Sequence, residues 1–409
     1  ISQVFYCFPH ALMILLAALS MADSRLYEAA DALGASRTRV FFTVTLPGAK
    51  YGVISAGFVI FTLVMTDFGI AKVIGGRFNV LATDIFKQVI GQQNFEMGAV
   101  VGFVLLIPAV VAFMADRIIQ GRQVALLSAR AVPLIPKPDS GRDNGLFIFC
   151  SVVGALIFVL LAMSVWASFV SRWPYNLALT LKNYNFGDYD TNGWSAYFNS
   201  VEMAAWTAVI GTIIVFVGAY LLEKTRSFGA GRGIAQFMAM LPMAVPGLVL
   251  GLAYIFFFNA KGNPLGFIYA TMAILVVNSV THFYTVSHLT ATTALKQLDH
   301  EFEAVSASLK VSLLRTMTRV SVPVCLPAVL DISIYLFVNA MTTVSAVIFL
   351  YSTDTKLAAV TVINMDESGF TAAAAAMAVA IVATSATVKI LHLLITRRLQ
   401  GGTQAWRQR

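Results

Sequence analysis

The chain has 409 residues, 58% of them hydrophobic and 12% charged, with a mean hydropathy of +0.78. Soluble domains carry about 25% charged residues, so this composition excludes a soluble enzyme or binding module and points to an all-α, polytopic membrane helix bundle. The net charge of +8 does not indicate a nucleic-acid partner, because the basic residues are scattered among loops and not clustered on a soluble domain.

A helix that crosses a bilayer needs about 20 mostly apolar residues. Nine stretches qualify, near 2–20, 48–69, 97–116, 145–168, 199–222, 234–258, 266–288, 325–350 and 371–396. The chain opens at Ile1 inside the first of them, with no Met and no secretory leader pattern. The expectation is that further N-terminal spans precede it in the intact protein.

Between the first two spans lies a polar interruption running from Glu28 to Pro47. Leu26, Ala30 and Leu33 recur at helical spacing, with Glu28 and Asp31 on another face. Asp23 or Ser24 suits the N-cap. Gly34 can take a left-handed backbone and end the short helix. Pro47, after Leu46, suits the first turn of the next span, where its missing N–H costs nothing.

The segment from Met114 to Gly145 is polar and holds Pro133, Pro136 and Pro138. It reads as a linker, 119–144, joining the C-terminal part of one membrane half (1–118) to a complete second half (145–409). Within the second half, Leu241-Pro242-Met-Ala-Val-Pro246-Gly247 interrupts a span. Such a break marks either a discontinuous helix at a transport site or a plain proline kink.

An internal repeat appears at an offset of 276, carrying Pro47 to Pro323, Thr66 to Thr342 and Leu81-Ala82 to Leu357-Ala358. The second copy has three more spans upstream than the first, so about twelve spans, six in each half, are expected of an intact protein. A second polar loop is expected near Glu303-Ala304-Val305, where Leu298, Phe302, Val305 and Leu309 form an apolar stripe. Its glycine is absent, with Leu309 or Lys310 in that place, and Glu303 to Pro323 is one residue longer than Glu28 to Pro47. A helix without a glycine terminator is expected to end differently or run longer, giving the two loops different shapes.

Of the 28 Lys and Arg residues, 21 fall in the loops 21–50, 115–144, 223–233, 289–324 and 388–409. By the positive-inside rule these loops are cytoplasmic. The loops at 171–197 and 351–369 are then periplasmic.

No catalytic residues and no metal site are expected. There is no phosphate loop of the Gly-x4-Gly-Lys-Ser/Thr type, so any ATP would be bound by another chain, and no cofactor is expected on this one. Asp67-Phe68-Gly69 resembles a kinase tripeptide but stands at the end of a span without the other kinase parts. His10, His282, His288, His300 and His392 share no metal-ligand spacing, and Cys7, Cys150 and Cys325 form no disulfide framework. What remains are polar side chains inside spans, which are costly in lipid and face an interior or a water path. Asn278, Thr281 and His282 lie in one span, Asn339, Thr342 and Thr343 in the next, and Asp67 at the end of the equivalent span of the first copy. Asp67, Asn278, His282, Asn339, Thr342 and Thr343 are the translocation-path candidates, with hydrogen bonding between helices as the structural alternative.

The run Glu28-Ala29-Ala30, three residues, Gly34, nine residues, Val44-Thr45-Leu46-Pro47 resembles the cytoplasmic coupling loop of ABC importer permeases. The resemblance implies that Glu28, Ala29, Ala30, Gly34, Leu46 and Pro47, with Glu303, Ala304 and Pro323 of the second copy, meet an ATPase subunit. It also implies two copies of that ATPase, a periplasmic substrate-binding protein, and residence in the bacterial inner membrane. The two-copy layout is similar to fused permeases for ferric iron and for 2-aminoethylphosphonate. The stretch Tyr335–Phe349 and the tail Thr403-Gln-Ala-Trp-Arg407 look most like the aminoethylphosphonate branch, which implies that cargo, with ferric iron as the alternative. An ion-coupled secondary transporter is the competing class, and its spans would carry paired ionisable residues. A membrane-embedded enzyme is disfavoured by the absence of a catalytic constellation.

Overall fold

A computed structural model describes residues 1–20, 22–125, 132, 134, 138–225, 229–299 and 301–403. It is almost entirely helical and divides into two compact units, Ile1–Met163 and Ser164–Arg409. Among the described residues, six helices are long and apolar enough to cross a membrane, joined by two sharply bent helix pairs and one shorter apolar helix. These occupy the nine places read from the sequence.

The first unit contains α1 (Ser2–Ser20), α2 (Ser24–Ala32), α3 (Arg37–Val40), α4 (Leu46–Thr66), α5 (Gly69–Ile74), α6 (Leu81–Phe86) and α7 (Phe95–Ala125). Then α8 (Ser140–Phe169) runs across the boundary. The division therefore falls past the linker 119–144. Helix α7 continues to Ala125 and α8 starts at Ser140, so helix extends into both ends of the stretch 119–144. Among its described residues α8 buries Ser168 only, so its apolar face is available to lipid or to other helices.

Helix α4 is the centre of the first unit, packed on α1 and on α7. A Cβ added to Gly52 would lie 2.2 Å from the Ala18 Cβ. The two backbones thus approach as small residues allow in membrane helix pairs, where dispersion must replace the hydrophobic drive. One turn further along α4, the buried Ser55 hydroxyl donates to the buried Asp116 carboxylate on α7.

The second unit opens with a hairpin, β1 (Val170–Arg172) and β2 (Asn176–Leu179). It continues with α9 (Trp194–Lys224), α10 (Gly229–Met240), α11 (Gly247–Phe258), α12 (Met272–His282), α13 (Tyr284–Lys296), α14 (Glu301–Ser308), α15 (Leu313–Thr316), α16 (Val322–Val324), α17 (Leu326–Thr342), α18 (Ala358–Glu367) and α19 (Thr371–Thr403). Its core joins α9, α13 and α17 through Phe216, Tyr220, Leu295, Ile332 and Leu336.

One open alternative is decided here and two sequence expectations are corrected. The proline-rich interruption is a full break: α10 ends in a 3-10 turn at Leu241–Ala244, and α11 leaves at 113° to the preceding segment. The stretch 266–288 is not one helix but α12 and α13, separated at Phe283. The stretch 325–350 ends as a helix at Thr342, and Ala346, Val347, Ile348 and Leu350 follow as buried turns. Their apolarity serves a protein interior and not a lipid face, a distinction hydropathy does not make.

The 276-residue repeat holds in the backbone. Ser36 and Ser312 precede the short helices α3 and α15, a π-turn follows each at Phe41–Thr45 and Met317–Ser321, and α7 and α19 start at Phe95 and Thr371. The Ser55–Asp116 pair also recurs, as Asp331 on α17 and His392 on α19, with Oδ1 3.3 Å from Nε2. The carboxylate has changed helices while the crossing stays bridged.

The Gly52–Ala18 approach yields a stability prediction. Gly52→Ala is expected to cost about 1–3 kcal/mol by overpacking, read as a lowered thermal midpoint in detergent. Adding Ala18→Gly removes the opposing methyl and should restore most of the loss; a double variant no more stable than Gly52→Ala would show that the helices do not meet there.

Candidate functional site

The first polar loop is built from local chemistry. Asp23 caps α2, its carboxylate accepting from the Arg25 N–H at 3.1 Å. Gly34 has φ +66°, and the closing bond runs from the Ala35 N–H to the Ala30 carbonyl at 3.0 Å. This is the six-to-one closure that a left-handed residue permits. Ser36 caps α3. The Tyr27 hydroxyl donates to Thr45 at 3.0 Å, tying α2 back to the turn that enters α4. Pro47 sits in the first turn of α4. Glu28 and Asp31 are exposed, as are Leu26 and Leu33, so α2 presents both a charged and an apolar surface.

The second loop repeats this backbone, against expectation. Asp299 accepts from the Glu301 N–H at 3.0 Å, as Asp23 does from Arg25. Lys310 adopts φ +51°, and the Val311 N–H closes on the Ser306 carbonyl at 2.9 Å. The helix therefore ends in the same way without glycine, at a cost of about 1–2 kcal/mol for a side chain in that conformation. The anticipated difference in loop shape is overturned. Because Lys310 stands in Gly34's place at the common offset of 276, Ala304 is the counterpart of Glu28, and Glu303 that of Tyr27. The apparent extra residue is a one-position error in aligning Glu303 with Glu28. The side chain of Glu303 lies outside the described residues.

The linker is laced to the first loop. The Ser24 N–H donates to the Val132 carbonyl at 2.9 Å, and the Leu134 N–H donates to the Ala22 carbonyl at 3.1 Å. Arg37 pairs with Asp139 at 3.4 Å. The Arg142 backbone N–H, then the Arg37 guanidinium, hold the exposed Asp139 carboxyl below the usual carboxylate range. The other linker residues 126–131, 133 and 135–137, and the tail beyond Thr403, lie outside the described residues.

The path candidates divide between the two units. In the first, Asp67 ends α4 and accepts from Gln3 at 3.5 Å and from the Ala71 N–H at 3.3 Å. In the second, the fully buried Asn278 donates from Nδ2 to the Ala346 carbonyl at 2.8 Å, while its Oδ1 has no partner among the described residues. Thr281 shares a 2.8 Å hydrogen bond with Tyr254 across to α11. His282 ends α12 beside Phe283. Asn339 and Thr342 bond back to the Tyr335 and Val338 carbonyls of their own helix, and Thr343 caps α17. Asn278 and Thr343 thus flank the buried turn after α17, whereas Asn339 and Thr342 are occupied within one helix.

Sequence reading missed the contacts that hold this turn. Added Cβ atoms at Gly247 and Gly251 would lie 2.5 Å from Ser345 Oγ and 2.8 Å from the Ala346 carbonyl oxygen. Their four-residue spacing is the available signal for close backbone approach in a membrane helix. Also missed was a set of ties that join α9 and the segment before it to the loop before α18. Lys356 pairs with Asp190 in a mostly buried setting. Asn199 donates to the Asp354 and Lys356 carbonyls at 2.8 and 3.1 Å. These residues are far apart in sequence and carry no motif.

Comparison with known proteins completes the picture. The family model for binding-protein-dependent transport system inner membrane components matches residues 1–124 and 214–401. The chain is 30% identical over 378 residues to a ferric transport system permease protein of Actinobacillus pleuropneumoniae, covering 90% of this chain and 54% of that protein. It is 23% identical over 361 residues to an Fe(3+)-transport system permease protein of Haemophilus influenzae, covering 87% of this chain and 68% of that one. The chain spans about half the length of the first of these relatives. A solved bacterial ABC transporter involved in the import of the acidic polysaccharide alginate has a similar fold, with TM-score 0.52 at 12% identity over 63% of this chain and 96% of that one. Both matched segments contain one polar loop with its left-handed turn and the spans around it, and the chain belongs to the family of binding-protein-dependent transport system inner membrane components.

Proposed function

We propose that this chain is the permease subunit of an ATP-driven importer. It would receive a small solute from a binding protein outside the inner membrane and pass it inward by alternating access. The carrying observation is the pair of capped, exposed loop helices with matching backbone, α2 and α14, each leading into a proline-started span. Isolated helices of nine and eight residues are marginal in water. Holding two of them in the same conformation is what docking on a paired ATPase requires. Permease halves meeting at the linker 119–144 follow from the same reading, as do two ATPase copies and a periplasmic binding protein.

For the cargo, the two ferric-transport relatives favour ferric iron over 2-aminoethylphosphonate, which the likeness of Tyr335–Phe349 placed first. The path candidates are neutral amides and hydroxyls, apart from Asp67 and His282, which suits a path that passes cargo on without holding it.

Three outcomes are expected. Gly34→Val forces a β-branched residue to φ +66° and should markedly reduce ATPase co-purification, whereas Gly34→Asn, which tolerates that backbone, should not; wild-type recovery with valine would remove the docking role. In proteoliposomes with ATPase and binding protein, ferric iron is expected to accumulate on ATP addition and 2-aminoethylphosphonate is not, and the reverse would restore the phosphonate assignment. A thiol introduced by Ser140→Cys into a Cys-free chain should react only from the cytoplasmic side. Labelling from outside would invert the topology.

A further inference from the structure

The two loop helices share a backbone but not a charge. On α2, Glu28 and Asp31 fall three residues apart on one side of the helix, with Gly34 in the turn that ends it, and all three are exposed. At the same places in the second copy stand Ala304, Ala307 and Lys310, of which Ala304 and Lys310 are exposed. Two carboxylates in the first loop are therefore replaced by two methyl groups and a terminal ammonium in the second. The start of each helix differs in the opposite sense, with Arg25 and Tyr27 in the first and Glu301 and Glu303 in the second. The second loop thus carries acid at its N-terminus and base at its C-terminus, as the helix dipole prefers, and the first does not.

Lys310 is the informative position. Its left-handed backbone is one that glycine adopts freely, as Gly34 does in the first loop. A side chain held in that conformation is strained, and such strain persists where the side chain serves a role. Lys310 is exposed, and the described residues offer it no hydrogen-bond or ion-pair partner. It contributes nothing visible to the fold, so its ammonium is available to another molecule.

On the reading that both helices dock on ATPase subunits, we propose that they enter a groove of one shape through opposite charges. Helix α2 is held by Glu28 and Asp31 against a cation opposite the middle of the helix. Helix α14 is held by Lys310 against a carboxylate opposite its C-terminal end. If the two ATPases are identical copies, each groove carries both groups, and the permease decides which is used. The halves are then unequal in charge and alike in shape.

The test uses the assembled permease–ATPase complex in detergent, with ATPase copies per permease counted by native mass spectrometry across a salt series. Wild type is expected to retain two copies. Lys310→Glu is expected to raise the dissociation constant of one copy roughly tenfold by placing like charges together, leaving one copy at moderate salt. Lys310→Gly should raise it about threefold, as loss of one exposed ion pair does, with a thermal midpoint equal to or above wild type because the strain is relieved. That midpoint separates a docking loss from misfolding. Glu28→Lys combined with Asp31→Lys should release the other copy. Two copies retained at every salt concentration by both Lys310 variants would overturn the charge assignment and leave the importer reading intact. A wild-type permease that retains no ATPase would overturn the importer reading itself.

Discussion

A bilayer supplies no hydrogen bonds, so every break in a membrane helix must have its backbone groups taken up by the protein. The architecture follows from how this chain meets that demand. Where α10 stops, the Ala239 carbonyl accepts from Thr285 at 2.9 Å. Where the chain turns after α17, Asn278 reaches the Ala346 carbonyl. Where α8 gives way to the hairpin, Asn183 donates to the Ser168 and Val170 carbonyls at 2.9 and 2.7 Å. Each tie comes from a side chain distant in sequence, so each break also fixes the position of a neighbouring element. Polar residues within spans thereby acquire a structural duty, holding helices together at their breaks.

The same demand explains why the two copies keep their backbone so faithfully while their side chains diverge. The closing turns of α2 and α14 need a left-handed residue, whichever residue fills the place, and Gly34 and Lys310 both do so. The crossing of the last helix in each copy is bridged by Ser55 with Asp116 or by Asp331 with His392. In both cases the hydrogen-bonding geometry persists and the chemistry is exchanged. Side-chain exchange at constant backbone lets one scaffold present different surfaces to partners. The lacing of Val132 and Leu134 to the first loop adds a further difference, since the start of that loop is joined to the linker by main-chain bonds.

Much of the organisation was legible in the chain itself. Hydropathy located the six long apolar helices and the two bent pairs of the described residues, because burial in lipid demands long apolar runs. The repeat offset of 276 emerged from Pro47 and Pro323 and from the paired Leu-Ala steps, and it carries through caps, π-turns and helix starts. Asp23, Gly34 and Pro47 announced the first loop because capping and termination are local events, governed by residues within one turn of each other.

What lay beyond the sequence was set by contacts between distant residues. Hydropathy cannot distinguish an apolar run facing lipid from one buried in protein, so the turns at 345–350 read as helix in the sequence, whereas packing against Gly247 and Gly251 sets their place. The size of the break at Leu241–Pro246 depends on Thr285 and on the turn after α17, which no local pattern encodes. A lysine in a left-handed conformation leaves no compositional mark, so the end of the second loop helix is not legible from residue type alone. The sequence determined the spans, the repeat and the first loop, since these rest on lipid burial and on bonds within a few residues. The tertiary structure decided how sharply the helices break and that 345–350 forms a buried turn, since those outcomes depend on partners that only folding brings near.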